Sequence, residues 1–100
     1  MPQLISLTQE LATPEAKQRR LLAQGPGWRI LLLDLRDGGE VPVHSAPGPI
    51  TVHCLQGKVD FAIDGEWRAL VAGDIQTVEA NVPHAVRATP GAVLLVHIVG

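Results

Sequence analysis

Short apolar segments, separated by turns rich in glycine and proline, make up most of the chain. The segments with strand character cover residues 28–35, 40–44, 50–55, 58–63, 67–71, 75–78, 83–88 and 92–99. Alternation is clearest in the fourth of them, where Val59, Phe61 and Ile63 share one face. Many short strands at a spacing of about 8–12 residues are typical of a β-sandwich or a closed barrel. The pattern therefore predicts an all-β fold.

The N-terminal part of the chain has a different pattern, which favours a helix. Thr13-Pro14-Glu15 resembles a helix start, because Thr is a good capping residue, Pro suits the first helical position and Glu complements the positive helix end. Residues 16–24 continue the predicted helix, with Leu21 and Leu22 as its buried side chains. The Gly-Pro-Gly sequence of residues 25–27 ends it.

Asp64-Gly65 is the strongest turn signal in the chain, because this dipeptide favours the two-residue loop of a β-hairpin. A loop of that length would place Glu66 and Arg68 on the same strand face as Ile63. Either these two polar residues meet at a margin of the sheet, or the loop is longer than two residues. The sequence leaves both alternatives open.

Length and composition indicate one domain with an aliphatic core. The chain has 100 residues, of which 46% are hydrophobic and only 3% aromatic. Val, Leu, Ile and Ala must therefore build most of the core. We expect residues 1–27 to form an N-terminal arm and helix and residues 28–100 to form the β-barrel, within one domain overall.

The net charge and the lack of targeting signals limit the partners and the location that we expect for this protein. A formal net charge of −2 argues against a nucleic-acid-binding surface, which needs clustered Lys and Arg. The N-terminus lacks the basic and apolar regions of a signal peptide, and the longest apolar run, residues 92–96, is too short to cross a membrane. We therefore expect a cytoplasmic protein that binds neither nucleic acid nor a membrane. Cys54 is the only cysteine, so no disulfide can form within the chain.

Two groups of glycine and histidine resemble the two conserved motifs of the cupin superfamily. Gly38, His44 and Gly57 match the spacing of the first motif, and residues 73–74 followed by 82–84 match the second. The resemblance covers nearly the whole strand-rich part of the chain. It implies a small jelly-roll (cupin-like) β-barrel, to which the N-terminal pattern adds a short helix.

The resemblance also implies a metal site, with a different set of ligands. Cupins that bind metal usually supply His, His and Glu from the first motif and His from the second. Here His44 occupies the first of these positions and His84 the last, whereas Ala46 and Ile50 stand at the other two. A divalent Fe, Mn, Zn or Ni ion held by His44 and His84 would need a further donor, because catalytic metal sites normally have three protein ligands.

Four residues are candidates for the third donor, and strand alternation separates them. Cys54 shares the strand face of Ile50, whereas His53 points to the opposite face. His97 interrupts the last apolar strand, where a buried imidazolium would be costly. Glu79 lies in the predicted loop before the second motif. The alternatives are a packing role for Cys54, packing or a dimer contact for His53, an outer-face or hydrogen-bonded position for His97, and exposure to solvent for Glu79.

Without a third donor, the same barrel would contain a metal-free apolar cavity. It would offer two imidazole hydrogen bonds and an apolar wall formed by Ile50, Val52, Phe61 and Val86. Such a cavity suits small-molecule binding by a ligand-sensing or interaction module. A complete metal site would instead suit an enzyme of the dioxygenase or isomerase type, as the resemblance implies. The sequence does not choose between these classes.

Residues 30–35 show little polar alternation, which predicts that both faces of this strand are covered. Either the N-terminal helix covers the second face, or another subunit does. We expect a homodimer, as is usual among similar small barrels.

Overall fold

The computed structural model describes residues 2–12 and 19–100 of the chain, without the side chain of Thr89. These ranges contain one short helix and seven strands, namely α1 (Leu7–Leu11), β1 (Arg20–Gly25), β2 (Trp28–Leu35), β3 (Gly39–His44), β4 (Ile50–Ile63), β5 (Glu66–Val71), β6 (Ile75–Val78) and β7 (His84–Val99). The predicted all-β architecture with a short N-terminal helix is confirmed. No helix within the described ranges is long and apolar enough to span a membrane.

The seven strands form one antiparallel sheet with β7 and β4 at its centre. Five strands follow the order β1-β2-β7-β4-β5, while β3 pairs with β7 and β6 pairs with β4. The sequence predicted two strands over 50–55 and 58–63 and two more over 83–88 and 92–99. Each of these pairs is instead one long strand that continues through a bend.

The bend lies where two backbones come very close. β4 pairs with β7 in two stretches, with register shifts on either side of Gly57. Gly57 has a φ of 75°, and a Cβ atom there would overlap the carbonyl oxygen of Gly91. A Cβ atom on Gly91 would overlap the carbonyl oxygen of Arg36. Because only glycine allows these approaches, the sheet folds over at this point into two halves.

The inner faces of the two halves share one apolar core. Val52, Cys54 and Leu94 belong to one half and Val59 and Phe61 to the other, and all five are fully or almost fully buried. Phe61 is the only aromatic side chain in this cluster, as the composition predicted. The halves therefore face each other, and the sheet forms the expected jelly-roll barrel.

The hairpin at Asp64-Gly65 has the shorter of the two expected loops. Ile63 pairs directly with Glu66, and both loop residues have positive φ values, 51° and 84°, as a type I′ turn requires. The side chains of Arg68 and Glu66 then meet at 3.9 Å. The first alternative is thus the correct one: the two polar residues form an exposed ion pair at the margin of the sheet.

The predicted helix over 13–24 is wrong in its second half. Residues 13–18 lie outside the described ranges, but Arg20–Gly25 forms the edge strand β1, hydrogen-bonded to β2. Leu21, expected to be buried, is 50% exposed. Pro26-Gly27 is a hairpin turn in which Gly27 has a φ of 78°, the signature of a type II turn. Backbone pairing with β2 outweighs the weak local preference for a helix.

The helix lies earlier in the chain and is bound to the outer face of β2. Ser6 caps α1 by accepting a hydrogen bond from the backbone N–H of Gln9 at 3.3 Å. At its other end, Arg20 donates to the carbonyl of Glu10 at 2.7 Å, and Arg36 donates to that of Leu11 at 2.8 Å. The two arginines thereby satisfy carbonyl groups that the end of a helix leaves free.

Asp34 holds the two arginines in place. Its carboxylate is buried and accepts from Arg20 at 2.9 Å and from Arg36 at 2.6 and 2.8 Å. Burial tends to raise the pKa of Asp34, but the hydrogen bonds from Arg36 and the two guanidinium charges outweigh it, so this pKa lies below its usual value of 3.8. On the same face, Leu32 is fully buried in the single chain. The homodimer remains a prediction.

Asp34→Asn is expected to destabilise the fold, because the amide cannot neutralise two partly buried guanidinium groups. We expect the free energy of unfolding at pH 7 to fall by about 3 kcal/mol, as when one partner of a buried ion pair is removed. Urea unfolding measures it, with Asp60→Asn as the control, because the half-buried Asp60 makes no ion pair among the described residues.

The same variant has a defined pH dependence. Since the pKa of Asp34 is lowered on folding, its stabilising effect is present above pH 3.8 and is lost as the pH falls through the folded-state pKa. The difference between wild type and Asp34→Asn should therefore shrink in acid. A constant difference, or one below about 0.5 kcal/mol at pH 7, would contradict this account of the cluster.

Candidate functional site

The two halves of the barrel leave an open cavity of about 370 Å³ between them. Its wall is mostly apolar and combines side chains from β2, β4 and β7, among them Leu31, Ile50, Val52, Phe61, Val86 and Val96. The four residues expected to line a pocket, Ile50, Val52, Phe61 and Val86, all lie on this wall. They reach it because alternate residues of each strand point inward and the bend turns both halves toward the same space.

His44 and His84 meet in this cavity. His44 ends β3 and pairs directly with His84, the first residue of β7. Their ring centroids are 4.3 Å apart, with an angle of 61° between the planes. Pro42 precedes His44 in β3 and has no N–H for the ladder, which agrees with the register shift found between Val41 and His44. One strand pairing thus brings together two histidines that lie forty positions apart in the chain.

Both imidazoles have the same hydrogen-bonded ring nitrogen. Nδ1 of His44 lies 2.9 Å from the carbonyl oxygen of Pro42, and Nδ1 of His84 lies 3.0 Å from that of Val82. A carbonyl oxygen can only accept, so each Nδ1 carries the proton. When the rings are neutral, Nε2 of each histidine is left with a free lone pair. This is the tautomer in which a histidine can accept a hydrogen bond or bind a metal ion through Nε2.

The surroundings of His84 favour its neutral form. Burial lowers the pKa of His84 below its usual value of 6.5; the hydrogen bond to Val82 opposes this effect, and the neighbouring His44 adds to it. Phe61 lies parallel to the ring of His84, with centroids 6.1 Å apart and 7° between the planes. His44, by contrast, is exposed at the mouth. The pair thus combines one buried and one accessible imidazole.

The structure places none of the four candidate third donors with this pair. His53 and His97 alternate with Val52, Cys54 and Val96, whose side chains point inward, so both histidines lie on the outer face of the sheet. Their imidazoles are separated from the cavity by the sheet itself. Strand alternation had predicted this position for His53.

The other two candidates also lie away from the cavity. Cys54 is buried in the core, where its thiol contacts the carbonyl groups of Gln56 at 3.4 Å and Gly57 at 3.7 Å. Burial raises the pKa of the Cys54 thiol, with a smaller contribution from the charge of Asp74. Glu79 is exposed in the loop after β6. The described part of the chain contains no group of three His, Cys, Asp or Glu side chains able to hold a metal ion.

Two arginines that line the cavity were not predicted from the sequence. Arg29 and Arg19 both line it. Arg29 alternates with Leu31 and Leu33 and therefore shares their inward face. Residues 30–33, directly after Arg29, are all apolar, so inward and outward positions cannot be told apart in the sequence. Arg19 could not be assigned, because it falls within the segment that was predicted to be helical.

The fold and the cavity define a class: a small jelly-roll barrel with an open apolar cavity and a histidine pair at its mouth. The family model of the cupin domain matches residues 31–99. The chain belongs to the cupin family. A search of curated proteins found no match.

Solved structures with this fold include proteins close to the chain in length. A conserved protein of unknown function from Streptococcus pyogenes is 29% identical, with a TM-score of 0.79 over 99% of this chain and 88% of that one. A cupin superfamily protein from Desulfitobacterium hafniense is 26% identical, with a TM-score of 0.80 over 99% and 94%. An RmlC-like cupin protein from Desulfovibrio desulfuricans is also 26% identical, with a TM-score of 0.74 over 81% and 79%.

The donor set does not fit a metal ion held by the protein alone. His44 and His84 offer two Nε2 atoms, whereas metal centres open to substrate normally have three protein ligands. Ala46 and Ile50, which the motif resemblance aligns with two further ligand positions, are part of the cavity wall and have no donor atoms in their side chains. Among the described cavity residues, the histidine pair therefore offers two donor atoms, fewer than such a centre needs.

His84 is expected to make the stability of the fold depend on pH. Because its folded-state pKa lies below 6.5, the unfolded chain binds more protons between these two values. The free energy of unfolding should therefore fall as the pH decreases through this window. His84→Asn should reduce the slope, since an amide keeps a donor for the carbonyl of Val82 but does not titrate.

Urea unfolding between pH 5 and pH 8 measures this slope. His97→Asn is the control for the replacement of a histidine by asparagine, because His97 lies exposed on the outer face of the sheet. An unchanged slope in His84→Asn would contradict the burial of a neutral imidazole at this position.

Proposed function

We propose that this cupin binds a small organic molecule in its cavity and that His44 and His84 orient it through Nε2. The observation that supports the proposal best is the pair itself: two imidazoles 4.3 Å apart, both with Nδ1 occupied, on an otherwise apolar wall. Small-molecule sites combine such a wall with a few well-placed polar groups.

The apolar wall and the two histidines would contribute to ligand binding in different ways. Transfer of apolar ligand surface from water to the wall stabilises a complex by about 25 cal/mol per Å². Each neutral Nε2 would accept one hydrogen bond from a hydroxyl or N–H group, which adds about 1 kcal/mol and fixes the orientation. The volume of about 370 Å³ is near the lower limit for small-molecule pockets, about 300 Å³.

A cavity-filling variant tests binding with the neutral apolar fluorophore N-phenyl-1-naphthylamine. Ala46 is half-buried on the cavity wall, so Ala46→Trp should occupy part of the space and weaken binding by about tenfold or more. Ala72→Trp is the matched control, because Ala72 is exposed and is not among the cavity residues. The dissociation constant comes from a fluorescence titration.

Equal affinity in both tryptophan variants would place the fluorophore outside the cavity and contradict the proposal. Absence of saturable binding to the wild type would also contradict it. Thermal unfolding of each variant confirms that the fold is retained.

A metal-assisted form of the same binding is the second candidate, because the free Nε2 atoms are those that histidine uses as a metal ligand. Two imidazoles alone bind a divalent ion weakly, and a ligand of the cavity would have to provide the remaining donors. This candidate corresponds to the enzyme class of cupins, the dioxygenase or isomerase type.

Metal loading separates the two candidates. Protein purified without an affinity tag is loaded with Fe²⁺, Mn²⁺, Zn²⁺ or Ni²⁺, desalted and analysed for bound metal. From two donors we expect much less than one ion per chain. One retained ion per chain, lost in both His44→Asn and His84→Asn, would favour the metal-assisted candidate. These variants keep an amide donor for the neighbouring carbonyl, so the loss would report on Nε2.

A further inference from the structure

The arginines of this chain divide into two groups by their partners. Of the six, four form ion pairs: Arg20 and Arg36 with Asp34, Arg68 with Glu66, and Arg87 with Glu40. Arg87 also lies over the ring of Trp67, at 4.5 Å from its centroid.

The remaining two arginines, Arg19 and Arg29, have neither an ion pair nor a side-chain hydrogen bond within the described ranges. They are also the two that line the cavity. Unpaired guanidinium groups are therefore concentrated at the site proposed for the ligand.

The two arginines reach the cavity from neighbouring strands. Arg29 lies on β2, where strand alternation directs it inward, and it pairs with Ile98, which lines the same cavity. Arg19 lies directly before β1 and also lines the cavity, whereas the side chain of Arg20 binds Asp34 on the outer face.

No described carboxylate of the cavity neutralises these charges. Glu40 is the one acidic residue among the described lining residues, and it is paired with Arg87 at 3.2 Å. Since the guanidinium group is a permanent cation, these two arginines give the cavity a positive charge, beside an apolar wall, that no described carboxylate compensates. A low-dielectric wall strengthens the field that such a charge exerts on an anion.

We propose that the ligand of this cavity is a small organic acid whose carboxylate binds Arg29, with Arg19 as a second contact. The planar guanidinium presents two parallel N–H donors that match the two oxygens of a carboxylate. The apolar body of the acid lies along the wall, and a donor group of the ligand faces the histidine pair. This inference rests on the proposed small-molecule function and names its ligand class.

Displacement of N-phenyl-1-naphthylamine tests the charge separately from the cavity. The competitors are 4-phenylbutanoate and its neutral counterpart 4-phenylbutanamide, which have the same apolar body. On wild-type protein the acid should displace the fluorophore at a concentration about tenfold lower than the amide, the factor expected for a charge-assisted hydrogen bond at a partly exposed site.

Arg29→Gln should reduce this acid-to-amide ratio severalfold while it leaves displacement by the amide unchanged, and the preference that remains would come from Arg19. Arg29→Lys keeps the charge but not the two parallel donors, so it should give an intermediate ratio. Arg68→Gln is the matched control, because Arg68 is an exposed arginine of β5 outside the cavity, and its ratio should equal that of the wild type.

Each result decides the inference. A ratio near one on wild-type protein would overturn it, as would a wild-type ratio in Arg29→Gln. Phenyl phosphate provides a further arm, and displacement by it at a lower concentration than by the acid would overturn the choice of a carboxylate. Failure of the wild type to bind the neutral fluorophore would instead contradict the proposed function itself. If the fluorophore binds but the acid displaces it no better than the amide does, the proposed function stands and only the anionic ligand class is contradicted.

Discussion

The close backbone contact at Gly57 and Gly91 is the constraint on which the rest of this structure depends. At this point neither residue has room for a Cβ atom, and Gly57 has a positive φ. The two long central strands therefore bend together, and the sheet turns its inner faces toward each other. Without the bend, β4 and β7 would form an extended sheet with no enclosed volume. The core and the cavity both depend on this close contact between backbones.

The bend also assigns different tasks to the two faces of the sheet. Inward-pointing residues form a core at the closed end and the cavity wall at the open end. On the outer face the buried charge of Asp34 binds Arg20 and Arg36, which in turn hold the end of α1. This cluster is structural, since each of its charges lies in an ion pair and the sheet separates it from the cavity. Among the described arginines, only Arg19 and Arg29 have no ion pair, and both line the cavity on the inner side of the sheet.

Much of the fold could be predicted, because glycine, proline and apolar alternation are local signals. The eight predicted strand segments all fall within observed strands apart from residue 83, and Asp64-Gly65 forms the expected two-residue loop. Motif spacing singled out His44 and His84, whose ring centroids lie 4.3 Å apart in the structure. Their exact tautomers, however, depend on the carbonyl groups of Pro42 and Val82, whose directions no sequence pattern specifies.

The failures have physical causes as well. Arg20–Gly25 is a strand because β2 offers its backbone groups for pairing, a tertiary effect that local propensity does not contain. The positions of Arg19 and Arg29 in the cavity depend in part on that strand. Glycine between two apolar segments predicts the end of a strand, whereas at Gly57 and Gly91 the strand continues through a bend.

Ile50 bears on both the donor set and the charge of the cavity. Arg29, Ile98 and Ile50 lie in one row across β2, β7 and β4, so Ile50 is two strands, about 10 Å, from Arg29. A glutamate at position 50, which the motif resemblance aligns with a cupin ligand, would be close enough to compensate the long side chain of Arg29, for which the described residues provide no ion pair. Isoleucine provides neither a metal donor nor a compensating charge. The cavity is therefore less suited to a cation than one with a carboxylate at this position, and its two arginines suit an anion, whereas the histidine pair offers acceptors to a donor group of the ligand.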